Sequence, residues 1–112
     1  MFALFMGLKS ISPSALHEMM QRQSVAVFDV NSRQCWAKEH VPGAVNLDPV
    51  NYDAGDLPPD KASSLVFYCS NPMCRKAPNA ARRAKKMGYR NAMVMSAGIS
   101  GWVATSLPTE VG

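Results

Sequence analysis

The segment Cys69-Ser70-Asn71-Pro72-Met73-Cys74-Arg75 holds the residue types best suited to covalent chemistry in this chain. It follows an apolar run and precedes a stretch of helical periodicity. Its backbone N–H groups are therefore expected to curl into an anion-binding nest above the positive end of a helix. That position favours a thiolate at Cys69, because a helix N-terminus and a nearby guanidinium lower a thiol pKa from its usual ~8.5 toward or below neutrality. Arg75 adds a two-pronged donor for a tetrahedral oxyanion such as thiosulfate, phosphate or arsenate. A cysteine after a strand is also commonly a small packing hydrophobe, so spacing alone leaves both readings open.

Other reactive residue types are less well placed. Cys35 lies where nothing predicts thiolate activation, so packing or incidental exposure is expected. Three cysteines are too few and odd in number for a secreted disulfide scaffold, and no His or Cys pair has zinc-finger spacing. His17 has no partner visible in sequence and is expected to be solvated. Trp36 and Trp102 can line a substrate entrance, although aromatic residues most often serve the core. The eight methionines read as packing residues, except Met73, whose loop position can put it beside a bound substrate.

The elements that must position the loop can be read from periodicity. Ser12-Pro13 is an N-cap followed by proline at the first helical position, and Leu16, Met19 and Met20 share a helical face through about Gln23. The nearly all-apolar run Val25–Val30 predicts a strand covered on both faces. A short helix over Arg33–Lys38, a Pro-Gly turn with a brief extended segment over His40–Leu47, and a loop over Asp53–Asp60 follow. Ser64–Tyr68 is another buried strand, and it delivers the chain to Cys69. From Pro78 to Met87 the spacing of Ala77, Ala80, Ala81, Ala84 and Met87 predicts an amphipathic helix with a basic outer face. Gly88 supplies its C-cap, and Ala92–Met95 forms the next strand. Strands alternating with helices indicate an α/β domain with a largely parallel sheet, whose ligand sites lie beyond the carboxyl ends of the strands.

Composition narrows the partners. With 112 residues, 47% of them hydrophobic and 18% charged, the chain has the size and apolar content of one folded domain, taken as 1–112, and not of a disordered tail. The net charge of +4 is concentrated in Arg75, Lys76, Arg82, Arg83, Lys85, Lys86 and Arg90, without RNP-type aromatics or a recognition motif, so nucleic acid is not expected as a partner. The basic face with Arg82, Arg83 and Lys86 can instead steer acidic partners. Met1–Gly7 is apolar but lacks a basic n-region and is far shorter than a bilayer crossing, so no membrane partner is expected and a cytoplasmic location is.

The ordered set Asp29-Val30, Glu39-His40-Val41-Pro42-Gly43-Ala44-Val45-Asn46, Tyr68-Cys69, Gly88-Tyr89 and Ala97-Gly98-Ile99-Ser100-Gly101-Trp102 resembles rhodanese-like domains, over about residues 8–106. The resemblance implies a three-layer α/β fold around a mainly parallel five-stranded sheet, and no metal or organic cofactor. It implies sulfur transfer: the Cys69 thiolate takes the outer sulfur of thiosulfate or another sulfane donor, a protein persulfide included, and becomes a persulfide. Cyanide, a low-molecular thiol or a protein cysteine then accepts that sulfur. The loop residues Ser70, Asn71, Pro72, Met73 and Cys74 would cradle the anion through the N–H groups that the loop carries, with Arg75 as its charged orienter.

Departures from the family pattern bear on this reading. The loop from Cys69 to Arg75 runs seven residues, where sulfurtransferases usually have six, and is as long as in the related cell-cycle phosphatases and arsenate reductases. Phosphatase or arsenate reductase is thus an alternative, and a non-catalytic binding module is another. Against a phosphatase, Ser70–Met73 include no carboxylate and Tyr68 stands where those enzymes carry histidine. Asn31 replaces the arginine that commonly follows Asp29-Val30, so an expected ion pair is missing or taken over by another residue such as Arg33. Cys74 either resolves a sulfur adduct on Cys69 by forming a disulfide or packs inward at the helix start. Asp29 and His40 are assigned structural work in loop and turn.

Overall fold

The computed structural model describes residues 8–112. The apolar start Met1–Gly7 lies outside them. The first helix, α1 (Pro13–Arg22), begins where Ser12 Oγ accepts the Ala15 N–H at 3.2 Å, and it stops at Gln23, which returns to extended backbone. Strand β2 (Ala26–Asp29) leads into the short helix α2 (Arg33–Lys38), capped by Ser32. After β3 (Val45–Asn46), the expected loop over Asp53–Asp60 contains a single 3-10 turn, Ala54–Asp56, closed by reciprocal bonds between Asp53 and Asp56.

The central strand β4 (Ser64–Tyr68) has β2 on one side and β5 (Asn91–Val94) on the other, and with β1 at Lys9–Ser10 the parallel order is β1-β5-β4-β2-β3. The strand β1 (Lys9–Ser10) completes the sheet at one edge. Leu65, Val66, Phe67 and Tyr68 have no exposed surface, which accounts for the uninterrupted apolar run. Alternation sends Leu65 and Phe67 to one face, with Phe28, Val94 and the alanines of helix α3 (Lys76–Lys86). Val66 and Tyr68 go to the other, with Leu16, Val41, Met95 and Trp102. Each such buried side chain contributes on the order of 1.5–3 kcal/mol relative to exposure.

Helix α3 begins two residues earlier than its apolar periodicity indicates. Arg75 takes the cap position, which puts Pro78 in the first turn, where the missing N–H is one the helix leaves unbonded anyway. The helix ends in a Schellman arrangement: Tyr89 N–H donates to Ala84 C=O at 3.2 Å and Gly88 N–H to Lys85 C=O at 3.0 Å, with Gly88 at φ +100°. The last helix, α4 (Gly98–Ala104), buries Trp102, whose indole N–H donates to the Pro108 carbonyl at 2.7 Å.

Candidate active site

Cys69 is the first residue past the end of β4 and is buried. From there the chain makes a tight turn. Asn71 C=O accepts the Cys74 N–H at 3.1 Å, Asn71 Oδ1 accepts the Met73 N–H at 2.9 Å, and Pro72 fits the second turn position with its fixed φ. The turn brings Cys74 back beneath Cys69, with Cα atoms 6.4 Å apart, and the two sulfur atoms are bonded. The expected free thiolate at Cys69 is therefore absent here. Cys74 also packs against the core on the α3 side, as the inward-packing reading expects.

The nest of consecutive amides also needs correction in this form of the loop. Pro72 has no N–H, and the N–H groups of Met73 and Cys74 are taken by Asn71. Between the loop, α3 and the end of β5 lies a cleft lined by Cys69, Asn71, Pro72 and Cys74 over Val94 and Met95. It holds about 10 Å³, room for about one water. Ser70, Met73 and Arg75 do not line this cleft. Met73 stands at the crest of the loop, 76% exposed, and Arg75 caps α3 from the exposed side.

The loop is held from beneath by α4. Ile99 N–H donates to Cys69 C=O at 2.9 Å and Ser100 N–H to Ser70 C=O at 3.0 Å. The Gly98 α-carbon lies so near the loop that a side chain there would meet its backbone. From the other flank Asn31 Oδ1 accepts the Ser70 hydroxyl at 2.7 Å. Asn46 Nδ2 in turn donates to the carbonyls of Asn31 and Asp29, which anchors the loop to the β2–β3 edge. Asn31 is thus a positioning residue that the sequence revealed only as a departure from the family pattern.

Asp29 is fully buried and accepts the Tyr68 hydroxyl at 2.7 Å and the Asn31 N–H at 2.8 Å. Burial pushes its carboxyl above the usual range, against the lowering effect of those two donors. Burial, then the neighbouring Asp29, also pushes the Tyr68 phenol up, and that phenol accepts the Val41 N–H at 3.0 Å. Asp29 thus has Tyr68 and Asn31 as its partners. Arg33 is not among them: it lies over the Trp36 ring, 5.9 Å from the centroid. His40 is structural, its Nδ1 2.7 Å from the Trp36 carbonyl and its ring stacked on Trp36 at 4.4 Å. His17 departs from expectation, because it meets the edge of Trp102 at 5.8 Å and bonds Gln21. Cys35 is free and exposed. Among the described residues no group of three His, Cys, Asp or Glu could hold a metal ion, and no helix is long and apolar enough to cross a membrane.

With this geometry in place, the rhodanese-like domain model matches residues 12–105. The chain belongs to the rhodanese-like domain family. Among relatives, it is 28% identical to the thiosulfate sulfurtransferase GlpE of Haemophilus influenzae over 94% of this chain and 97% of that one. It is 26% identical to the uncharacterized protein YibN of Escherichia coli, covering 93% and 73%. Among solved structures, the BH2092 protein of Bacillus halodurans superposes with a TM-score of 0.83 at 20% identity, over 92% and 77% of the two chains. The five-stranded parallel sheet of this chain is the α/β architecture expected from the motif order, and the BH2092 structure shares the fold.

Proposed function

We propose that this rhodanese-like domain is a sulfurtransferase that moves sulfane sulfur from thiosulfate or another persulfide donor to a thiophilic acceptor through a persulfide on Cys69. The observation that carries the reading is the position of Cys69, at the carboxyl end of the middle strand and ahead of the N-terminus of α3, in a chain related to GlpE. In the reduced site the Cys69 thiolate attacks the outer sulfur of thiosulfate, the S–S bond of the donor breaks, and sulfite leaves with its electron pair. Cyanide, a small thiol or a protein cysteine then takes the outer sulfur from the persulfide. Arg75 and the loop amides released when the turn opens stabilise the anions, and Met73 borders the entrance. The reading keeps the chain in the cytoplasm, where thiol reductants hold the site open.

A phosphatase is less well supported. Ser70–Met73 offer no carboxylate to protonate a leaving group, and the nearby Asp29 is committed to Tyr68 and Asn31. The test is peptide mass spectrometry of the reduced protein after brief exposure to thiosulfate and then to cyanide. With Cys74 replaced by serine so that the loop cannot pair, one added sulfur on the Cys69 peptide, removed by cyanide and absent in a folded Cys69→Ser variant, is the expected result. A Cys69→Ser protein that keeps full sulfur turnover sinks the assignment.

A further inference from the structure

We propose that Cys74 is the resolving cysteine of this site: it attacks the persulfide on Cys69, expels the outer sulfur as hydrosulfide and leaves the Cys69–Cys74 disulfide, making the protein a reductase of sulfane sulfur that is reset by a dithiol. The inference rests on the sulfurtransferase reading of Cys69 and extends it from transfer to reduction.

Three observations carry it. The two sulfur atoms are bonded in the folded protein, across a Cα separation of 6.4 Å that lies within the ordinary disulfide range. The pairing is built into the local sequence, because the Asn71–Cys74 turn, with Pro72 at its second position and two bonds to Asn71, returns Cys74 to Cys69. Cys69 Sγ, once bonded to Cys74 over a cleft of about 10 Å³, has no valence left for a sulfane sulfur, so a persulfide and the paired loop exclude each other. Closing the turn therefore accompanies loss of the outer sulfur.

The step balances. The persulfide Cys69–S–S⁻ and the Cys74 thiol give the Cys69–S–S–Cys74 disulfide and HS⁻. The new bond joins Cys74 Sγ to Cys69 Sγ, and the bond from Cys69 Sγ to the sulfane sulfur breaks with its electron pair on the leaving sulfur, which takes up the Cys74 proton. Two electrons pass from the cysteine pair to the sulfane sulfur. Because the attack is intramolecular, it competes with any external thiophile at an advantage set by proximity. A dithiol reductant, small or a Cys-x-x-Cys protein, then reopens the site. It meets the half-buried Cys74 before the buried Cys69, so attack at Cys74 frees Cys69 as the leaving thiolate.

The experiment uses the full chain, reduced, freed of reductant under anaerobic conditions and mixed with thiosulfate in the absence of any other thiol. Sulfite, sulfide and the state of each cysteine are measured for the wild type, Cys74→Ser and Cys74→Ala. The wild type is expected to release sulfite and an equal amount of sulfide, and to end with Cys69 and Cys74 paired and Cys35 free. Both variants are expected to release sulfite without sulfide and to keep a cyanide-removable sulfur on Cys69. A wild type that releases sulfite yet keeps that sulfur, with both loop cysteines unpaired, overturns the resolving role while leaving sulfur transfer intact. Absence of sulfite from all three proteins overturns sulfur loading from thiosulfate and this step with it. The wild-type result decides the matter even if a variant fails to fold.

Discussion

Gly98 lies directly against the peptide joining Ser70 to Asn71: a methyl on its α-carbon would come within 2.6 Å of the Ser70 carbonyl carbon and 2.7 Å of the Asn71 nitrogen. These are backbone atoms of the loop that holds the nucleophile, and they cannot rotate away as a flexible side chain does. Gly98 also sits at φ +67°, a conformation that L side chains disfavour. Gly98→Ala is expected to cost about 2–4 kcal/mol, from overpacking and left-handed strain together. It should also slow sulfur loading of Cys69. Urea unfolding checks the first effect, and an unchanged midpoint would contradict the close approach.

Tyr68→Phe tests the buried pair beneath the site. The folded Asp29 carboxyl sits above its unfolded value of ~3.9, so the folded state holds that proton more tightly. Its contribution to stability is complete below that value and is lost as pH rises through the folded pKa. Removing the Tyr68 hydroxyl takes a donor from the carboxylate and an acceptor from Val41, at a cost of about 1–3 kcal/mol near neutrality. The loss of the donor raises the folded pKa further, so the gap between variant and wild type should narrow as pH falls toward 4. Denaturation curves at several pH values measure it, and a constant gap would mean that Asp29 does not titrate as described.

Among the basic residues on the outer face of α3, Arg83 is tied to the protein by Tyr52. Arg83 donates from Nε and Nη2 to the Tyr52 carbonyl at 3.1 and 2.8 Å and lies over the Tyr52 ring, 5.3 Å from its centroid. Burial pushes the Tyr52 phenol up to about 12, and its hydroxyl donates to Ala80 C=O at 2.6 Å. Arg83→Lys should therefore lose about 1 kcal/mol, because a single ammonium cannot reproduce the fork. Arg82→Ala, on the exposed side, should stay within about 0.5 kcal/mol of wild type. Equal effects of the two substitutions in a thermal denaturation series would contradict this division.

Asn31 and Ser70, 39 residues apart in sequence, form one bond that ties the loop to the β2 edge. Single alanine substitutions at either position, and the pair together, should show a coupling of about 0.5–1.5 kcal/mol in a double-mutant cycle on stability. Additive effects would show that the bond does not hold the loop.

What the sequence disclosed and what it hid follow the range of the interactions. Strand β4 and the placement of Cys69 were readable because an apolar run covered on both faces leaves a local imprint that ends at the cysteine. Helix α1 was readable from Ser12 and Pro13, whose roles depend on immediate neighbours. Strand β1 was not, since Lys9 and Ser10 are exposed and become a strand only by bonding to β5. Helix α4 was not readable as a helix either, because Gly98 serves close approach to the loop and the glycines at 98 and 101 lower helical propensity. The sulfur pairing and the Asn31–Ser70 bond are contacts through space, invisible to periodicity.

The middle position of β4 separates the molecule into parts that open at different free energies. Its amides bond into parallel ladders with β2 and β5, so they are expected to exchange with solvent only through global unfolding. In the reduced protein the Asn71–Cys74 turn is held by two hydrogen bonds at an exposed crest and is expected to open locally. Deuterium uptake should therefore be slow up to Phe67 and fast from Asn71 to Met73, a gradient of protection spanning a few residues. The nucleophile is mounted at the edge of the slow region, and its partner cysteine sits at the end of the fast one.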